Sequence, residues 1–129
     1  MDKYKKISLV ILVAFYVLAG LNHFRAPDFY YAVMPNNLLY PETVNLLAGI
    51  AEITLGVLLI PAKTRYWAAW GVVLMLIAFL QIHVSMAFKA PMKLNSITVT
   101  PFLAWLRLIL QFVLIYWAWW HTADRKKIA

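Results

Sequence analysis

The stretch "VLAGLNHFRAPDFYYAVMP", from Val17 to Pro35, holds the first clue to the architecture. An apolar segment long enough for a membrane helix ends on Asn22 and His23, meets Pro27, and continues into aromatic residues closed by a second proline. Because proline fixes φ and lacks the amide hydrogen that a helix interior needs, the stretch predicts a long helix, a break and a short second helix. It also raises the question of what an amide and an imidazole contact at the end of an apolar helix.

The composition is typical of a membrane protein. Hydrophobic residues make up 64% of the chain and charged residues 13%, against about 45–50% and about 25% in soluble domains. The formal charge is +7, but the basic residues flank apolar runs, so we predict no nucleic-acid binding. The chain has no cysteine, so it can form no disulfide and offers no thiolate ligand, and a redox role would need a bound cofactor or a partner.

Four apolar segments are each long enough to cross about 30 Å of hydrocarbon at about 1.5 Å per residue. They cover approximately residues 7–24, 43–60, 66–88 and 101–120, and the prolines of the chain fall at or between their ends. Because unpaired backbone groups are costly in a bilayer, each segment is predicted to be helical. The sequence therefore predicts an all-α, polytopic membrane protein, with residues 1–129 forming one four-transmembrane-helix bundle.

Lysine and arginine residues predict the orientation of this bundle. The loops on one side carry only Arg25, Lys89 and Lys93. The other side carries Lys3, Lys5, Lys6, Lys63, Arg65, Arg125, Lys126 and Lys127. By the positive-inside rule, both termini are predicted to be cytoplasmic, in a multi-pass protein of the cell (inner or plasma) membrane. The basic start and the segment Val17-Leu18-Ala19 also fit a signal peptide, but we expect this first span to be retained.

The first outer link is apolar and aromatic rather than hydrophilic. Pro27 can open a short helix at about residues 28–34 that lays Phe29, Tyr30 and Val33 on the bilayer surface, with a second proline stopping it. This helix is predicted either to cover the outer face of the bundle as a lid or to serve only as an aromatic anchor.

Boundary signals also mark the fourth span. Thr100 and Pro101 are suited to the N-cap and the first helical position. His121 follows the tryptophans at the other end of this span and precedes the basic tail. We predict that His121 lies at the membrane interface.

Polar residues within the spans are candidates for a functional site. A charged side chain at a helix centre costs about 2.5–3.5 kcal/mol on insertion scales, so it normally faces the bundle interior and finds a partner there. The second span carries a seam of polar and small residues, Asn45, Gly49, Glu52 and Gly56. We predict an ion pair between Glu52 and Arg107, with Gln111 completing the network. Whether this pair fixes helix register or acts on a ligand stays open.

The histidines near the outer ends of the first and third spans could also face a ligand. His23 and His83 lie at comparable depth, where they could ligate a haem iron or donate to a quinone oxygen, haem being the less favoured alternative. Gln81 and His83 point in different directions around their helix, so only one of them faces inward. No metal site is predicted. The candidate ligand-pocket residues are Asn22, His23, Glu52, His83, Arg107 and Gln111.

Three stretches, "LAGLNHFRAPDFYYAVMP", "LAGIAEITLGVLLIPAKTRYWAAWG" and "IHVSMA", closely resemble small proteins of the DoxX family. The resemblance covers about the first three spans and implies a compact four-helix membrane protein. Its characteristic polar positions correspond here to Asn22, His23, Glu52, Arg65 and, less directly, Arg107. The chain departs from the pattern at His83, where relatives often carry an asparagine.

The resemblance implies more than one function. Some members of that family look like subunits of a thiosulfate-to-quinone oxidoreductase, and others look like parts of membrane complexes that handle oxidative stress. We therefore predict a DoxX-type membrane subunit that binds a quinone or a similar amphipathic molecule and supports a membrane or peripheral redox protein. The alternative is a non-catalytic assembly, chaperone or scaffolding protein. The sequence leaves the ligand, enzymatic activity and formation of a homodimer open.

The predicted pocket combines these elements. Asn22 and His23 are predicted to cap its outer mouth, beneath the aromatic lid formed by Phe29 to Met34. Glu52 and Arg107 are predicted to form its floor. In the redox interpretation, Glu52 and His23 accept and donate protons, and Arg107 holds the ligand through its positive charge.

Overall fold

The structure is a computed structural model that describes residues 2–34, 38–94 and 97–123. The helices and strands in these ranges are α1 (Lys3–Arg25), α2 (Pro27–Val33), α3 (Pro41–Leu58), α4 (Ala62–Lys89), β1 (Met92–Leu94), β2 (Ile97–Val99) and α5 (Pro101–Trp120). Four of the helices, α1, α3, α4 and α5 with its extension to Ala123, are long and apolar enough to cross a membrane. The predicted long helices and the short helix after Pro27 are confirmed, with ends that differ by up to four residues. Pro35 and the basic residues Arg125, Lys126 and Lys127 lie outside the described residues.

Local signals set most helix boundaries. Asp2 caps α1 by accepting a hydrogen bond of 2.8 Å from the amide of Lys5. Thr100 caps α5 by accepting one of 3.2 Å from the amide of Leu103, which confirms the predicted N-cap. At the end of α3, Arg65 donates to the carbonyl oxygens of Leu59 and Ile60 at 2.8 and 2.6 Å. Arg65 therefore satisfies carbonyl groups that a helix end leaves unpaired.

The long helices pack as two antiparallel pairs, α1 along α3 and α4 along α5, and α3 also contacts α4. The buried residues of α3 are Asn45, Gly49, Glu52 and Gly56, so the predicted seam is confirmed. It faces α1. A Cβ atom at Gly20 of α1 would lie 2.8 Å from the carbonyl oxygen of Gly49 and 2.9 Å from the amide nitrogen of Ile53. Glycine at position 20 therefore lets the two backbones approach closely.

The end of the bundle where α1 and α4 begin and α3 and α5 finish is called the terminal end. Here side chains connect α1 to the end of α5. Ser8 Oγ accepts a hydrogen bond of 2.7 Å from Trp117 Nε1 and lies 3.0 Å from His121 Nε2. Lys5 Nζ donates to the carbonyl oxygen of Trp120 at 3.1 Å. His121 is 0% exposed, with Ser8 of α1 beside it. Its position at the membrane interface stays a prediction.

The opposite end, with α2, the hairpin β1–β2 and the starts of α3 and α5, is called the lid end. The two strands pair antiparallel, with Met92 opposite Val99. Val99 is buried against Met86, Ala104 and Leu108. The sequence predicted only a link here, because three-residue strands are too short to display a clear alternation of polar and apolar residues.

Candidate functional site

A cavity of about 440 Å³ lies at the lid end, between the α1–α3 pair and the α4–α5 pair. Its volume falls within the roughly 300–1,000 Å³ of small-molecule pockets. Most of its wall is apolar, formed by Phe29, Val33, Met34, Val44, Ala48, Phe79, Ile82, Met86, Val99 and Leu103. The polar side chains in the wall are His23, Tyr30, Glu52, His83 and Arg107. This arrangement suits an amphipathic molecule with a polar head.

His23 lies in the last turn of α1, and its orientation is set by Asn45 of α3. The amide Nδ2 of Asn45 donates to the carbonyl oxygen of His23 at 3.0 Å, which identifies the opposite atom, Oδ1, as an acceptor. Oδ1 lies 2.7 Å from His23 Nδ1. Nδ1 must therefore carry a proton and donate it, so the remaining ring nitrogen, Nε2, is the one that faces away from Asn45.

Nε2 of His23 lies 3.2 Å from Oε2 of Glu52, and both side chains are buried. At this distance an imidazolium at His23 and a carboxylate at Glu52 attract each other as an ion pair. The contact is at ion-pair distance but is not aligned as a hydrogen bond. No described residue forms an aligned hydrogen bond with Oε2 of Glu52. His23 and Glu52 thus form an ion pair in the cavity wall.

Arg107 also lines the cavity, but the predicted ion pair with Glu52 is wrong. Its guanidinium donates to Gln111 Oε1 at 3.0 Å, and Gln111 Nε2 donates to the carbonyl oxygen of Leu76 at 2.7 Å. Among the described residues, the ion-pair partner of Glu52 is His23. The physical reason is that α1, not α5, packs along the Glu52 face of α3. Gln111 is 0% exposed and positions Arg107 from behind the wall.

His83 of α4 faces the cavity and Gln81 is exposed, as the prediction that only one of them points inward requires. The ring nitrogen Nδ1 of His83 is buried, and the described part of the chain offers it no hydrogen-bond partner. A buried polar atom without a partner is costly. The residues that line the cavity therefore include a second buried polar atom, besides Glu52 Oε2, without an aligned hydrogen-bond partner among the described residues.

The short helix α2 covers the cavity as a lid. The ring of Tyr30 stacks on that of His23, with centroids 3.8 Å apart and an interplanar angle of 18°. Asn22 Nδ2 donates to the Tyr30 hydroxyl at 2.8 Å, and Asn22 Oδ1 accepts from Arg25 at 2.9 and 2.6 Å. Burial, with a smaller contribution from Glu52, raises the pKa of Tyr30, against the opposite effect of Asn22. Asn22 does not line the cavity; it holds the lid.

Two residues absent from the predicted site lie close to it. Asn45 sets the proton position on His23, and its place on the Glu52 seam was a signal for this. Tyr16 is buried, and no described residue pairs with its hydroxyl, which lies within electrostatic range of Glu52 and Arg107. It precedes His23 by seven residues, about two helical turns, so helical spacing alone places it on the same face of α1.

The fold and the cavity define a small helical protein with four helices able to span a membrane and a mixed apolar and polar cavity near one end. The chain belongs to the family described as Domain of unknown function (DUF8561), whose model matches residues 12–122. This range includes every cavity-lining residue. No curated protein and no solved structure matches the chain. The resemblance to DoxX proteins therefore stays a prediction.

Proposed function

We propose that the protein binds a quinone-like amphipathic small molecule in the lid-end cavity and supports a membrane redox partner. The observation that carries this proposal is the combination of apolar walls with the polar side chains of His23, Glu52, His83 and Arg107 in one cavity. An aromatic head would lie among Phe79, Ile82 and Met86, and its oxygens would reach the polar atoms. Ligand pockets typically combine an apolar lining with a few polar groups in this way.

The proposed setting is the cell membrane, crossed four times. The outward-facing side chains of the long helices, such as Leu18, Leu47, Leu74 and Ile109, are large, apolar and exposed, which supports contact with lipid. The distribution of lysine and arginine supports cytoplasmic termini. In this orientation the cavity lies in the outer half of the membrane, and an apolar ligand would enter from the bilayer.

The wall residues have distinct proposed roles. Arg107 donates to an oxygen of the head group, while Gln111 holds the guanidinium in place. His23 and Glu52 form an ion pair beside the head group. The resemblance to DoxX proteins supports the assignment to a redox complex, and the partner supplies the redox chemistry, since this chain has no cysteine.

A second candidate function is a non-catalytic assembly or scaffolding protein. It is supported by the polar contacts that join neighbouring helices without any ligand. Asn45 connects α3 to α1, and Gln111 connects α5 to α4. Such contacts fix helix register on their own. In this alternative, a lipid-facing surface binds the partner protein and the cavity stays unused.

A matched pair of variants distinguishes the two functions. Ala48→Phe places a ring in the cavity, whereas Leu47→Phe places the same ring on the neighbouring, lipid-facing position. Each protein is purified from native membranes in mild detergent, and its bound small molecules are identified by mass spectrometry. We expect about one quinone-like molecule per chain in the wild type and in Leu47→Phe, and none in Ala48→Phe. Equal small-molecule content in all three proteins would refute ligand binding in the cavity and favour the scaffold.

A further inference from the structure

The hydrogen bonds around His23 determine what Glu52 can offer a ligand. Because Asn45 Oδ1 holds one proton on Nδ1, the second ring proton of an imidazolium lies on Nε2, the ring atom nearest Glu52. The partner of this cation in the ion pair is a carboxylate, and both carboxylate oxygens are acceptors. Glu52, which is 7% exposed and lines the cavity, therefore offers only lone pairs to a ligand.

The oxidised and the reduced form of a quinone-like head group differ in whether their oxygens can donate a hydrogen bond. The oxygens of the oxidised form are carbonyl acceptors, so one placed beside Glu52 brings lone pairs against lone pairs. A hydroxyl of the reduced form donates its hydrogen to the carboxylate of Glu52, which lines the cavity. Glu52 therefore discriminates between the two forms.

The other polar groups of the wall do not reverse this preference. Arg107 can donate to the oxygen of either form. A ring nitrogen of His83 in the cavity wall accepts from a hydroxyl when it carries a lone pair, and donates to either form when it carries a proton. Tyr30 accepts from Asn22, and its own hydroxyl hydrogen can also be donated to either form.

We propose that the lid-end cavity binds the reduced, hydroxyl-bearing form of a quinone-like molecule in preference to the oxidised form, with Glu52 as the acceptor of the hydroxyl hydrogen. This inference rests on the proposed function and specifies the redox state of its ligand. Tighter binding of the reduced form raises the midpoint potential of the bound couple. A tenfold preference corresponds to about 30 mV for a two-electron couple.

The test measures both redox forms on the same protein. The full chain in detergent is titrated under argon with decylubiquinone and, separately, with its quinol, by isothermal titration calorimetry. We expect the quinol to bind at least tenfold more tightly. Glu52→Gln replaces an acceptor by an amide that also donates, so the ratio of the two dissociation constants should fall toward one. Glu42→Gln is the matched control, because Glu42 lies exposed in the first turn of the same helix, and it should leave the ratio unchanged.

The outcomes separate this inference from the function on which it rests. Equal binding of quinone and quinol by the wild type overturns the preference but leaves the proposed function standing. Absence of binding by both overturns the proposed function and this inference together. A preference that persists in Glu52→Gln overturns the role of Glu52. If that variant does not fold, the ratio of the two dissociation constants of the wild type still tests the preference for the reduced form, because it compares two ligands on one protein.

Discussion

The terminal end and the lid end are built from the same long helices, but they differ in whether their buried polar groups have aligned hydrogen-bond partners. At the terminal end, Ser8 joins Trp117 and His121, so a fully buried imidazole has a hydrogen-bond partner on another helix. At the lid end, a nitrogen of His83 and an oxygen of Glu52 are buried without an aligned hydrogen-bond partner among the described residues, and both residues line a cavity. The difference suggests that polar groups at the terminal end stabilise the bundle, whereas those at the lid end serve a ligand.

The largest effect is expected from Gly20→Ala, which would break the α1–α3 contact beneath the lid end. The added Cβ would meet backbone atoms of Gly49 and Ile53, which cannot move without shifting α3. We expect a loss of about 3 kcal/mol in unfolding free energy, because overpacking forces the backbone to shift. Ligand binding should also weaken, since His23 moves away from Glu52. Unfolding in mixed micelles, followed by tryptophan fluorescence, measures the stability.

Gly71→Ala is the control for this substitution. Its added Cβ would meet a terminal methyl group of Leu55 at 2.7 Å, which can rotate away. The loss of stability should therefore be clearly smaller than for Gly20→Ala. Similar losses in both variants would contradict the interpretation that the close approach of two backbones is what requires Gly20.

An intermediate effect is expected at the terminal end from His121→Ala. The substitution removes the contact with Ser8 and leaves a cavity at a fully buried site. We expect a loss of about 2 kcal/mol in unfolding free energy, with quinol affinity unchanged because the lid end is not involved. Thermal unfolding and calorimetry on the same sample test both parts. A weakened affinity in a folded His121→Ala protein would show that the two ends are not independent.

The smallest effect on stability is expected from His83→Leu at the lid end. Because it removes a buried nitrogen that lacks a partner within the described residues, the unfolding free energy should change by less than about 1 kcal/mol. The affinity for the quinol should nevertheless fall. Gln81→Leu, on the exposed side of the same helix, should alter neither quantity. If His83→Leu destabilised the protein as strongly as His121→Ala, the distinction between the two ends would be lost.

Features that depend on local pattern were predicted correctly from the sequence. The long helices followed from apolar length and proline positions, and α5 has the predicted bounds, Pro101–Trp120. The buried face of α3 followed from helical spacing through Asn45 and Glu52. Such features depend on residues within one element, so no knowledge of its neighbours is needed.

Features that depend on neighbouring elements were missed. The burial of His121 was not predicted, because nothing in its own segment shows that α1 packs over it. Glu52 was assigned to Arg107 because both lie on inward faces, although the charges available to Glu52 depend on which helix lies next to α3. The hairpin β1–β2 was missed because its strands are too short to carry a pattern.

The amino-acid pattern alone thus specifies which segments become helices, where they stop and which side chains share a face, since these properties follow from backbone chemistry and helical periodicity. Packing selects which faces meet. Close approach at Gly20 places α1 against α3, which brings His23 to Glu52 and leaves Arg107 to Gln111. The cavity exists only because the two helix pairs, joined by side chains at the terminal end, enclose space at the other end. Periodicity defines a face without specifying its partner, and steric fit between helices supplies that choice.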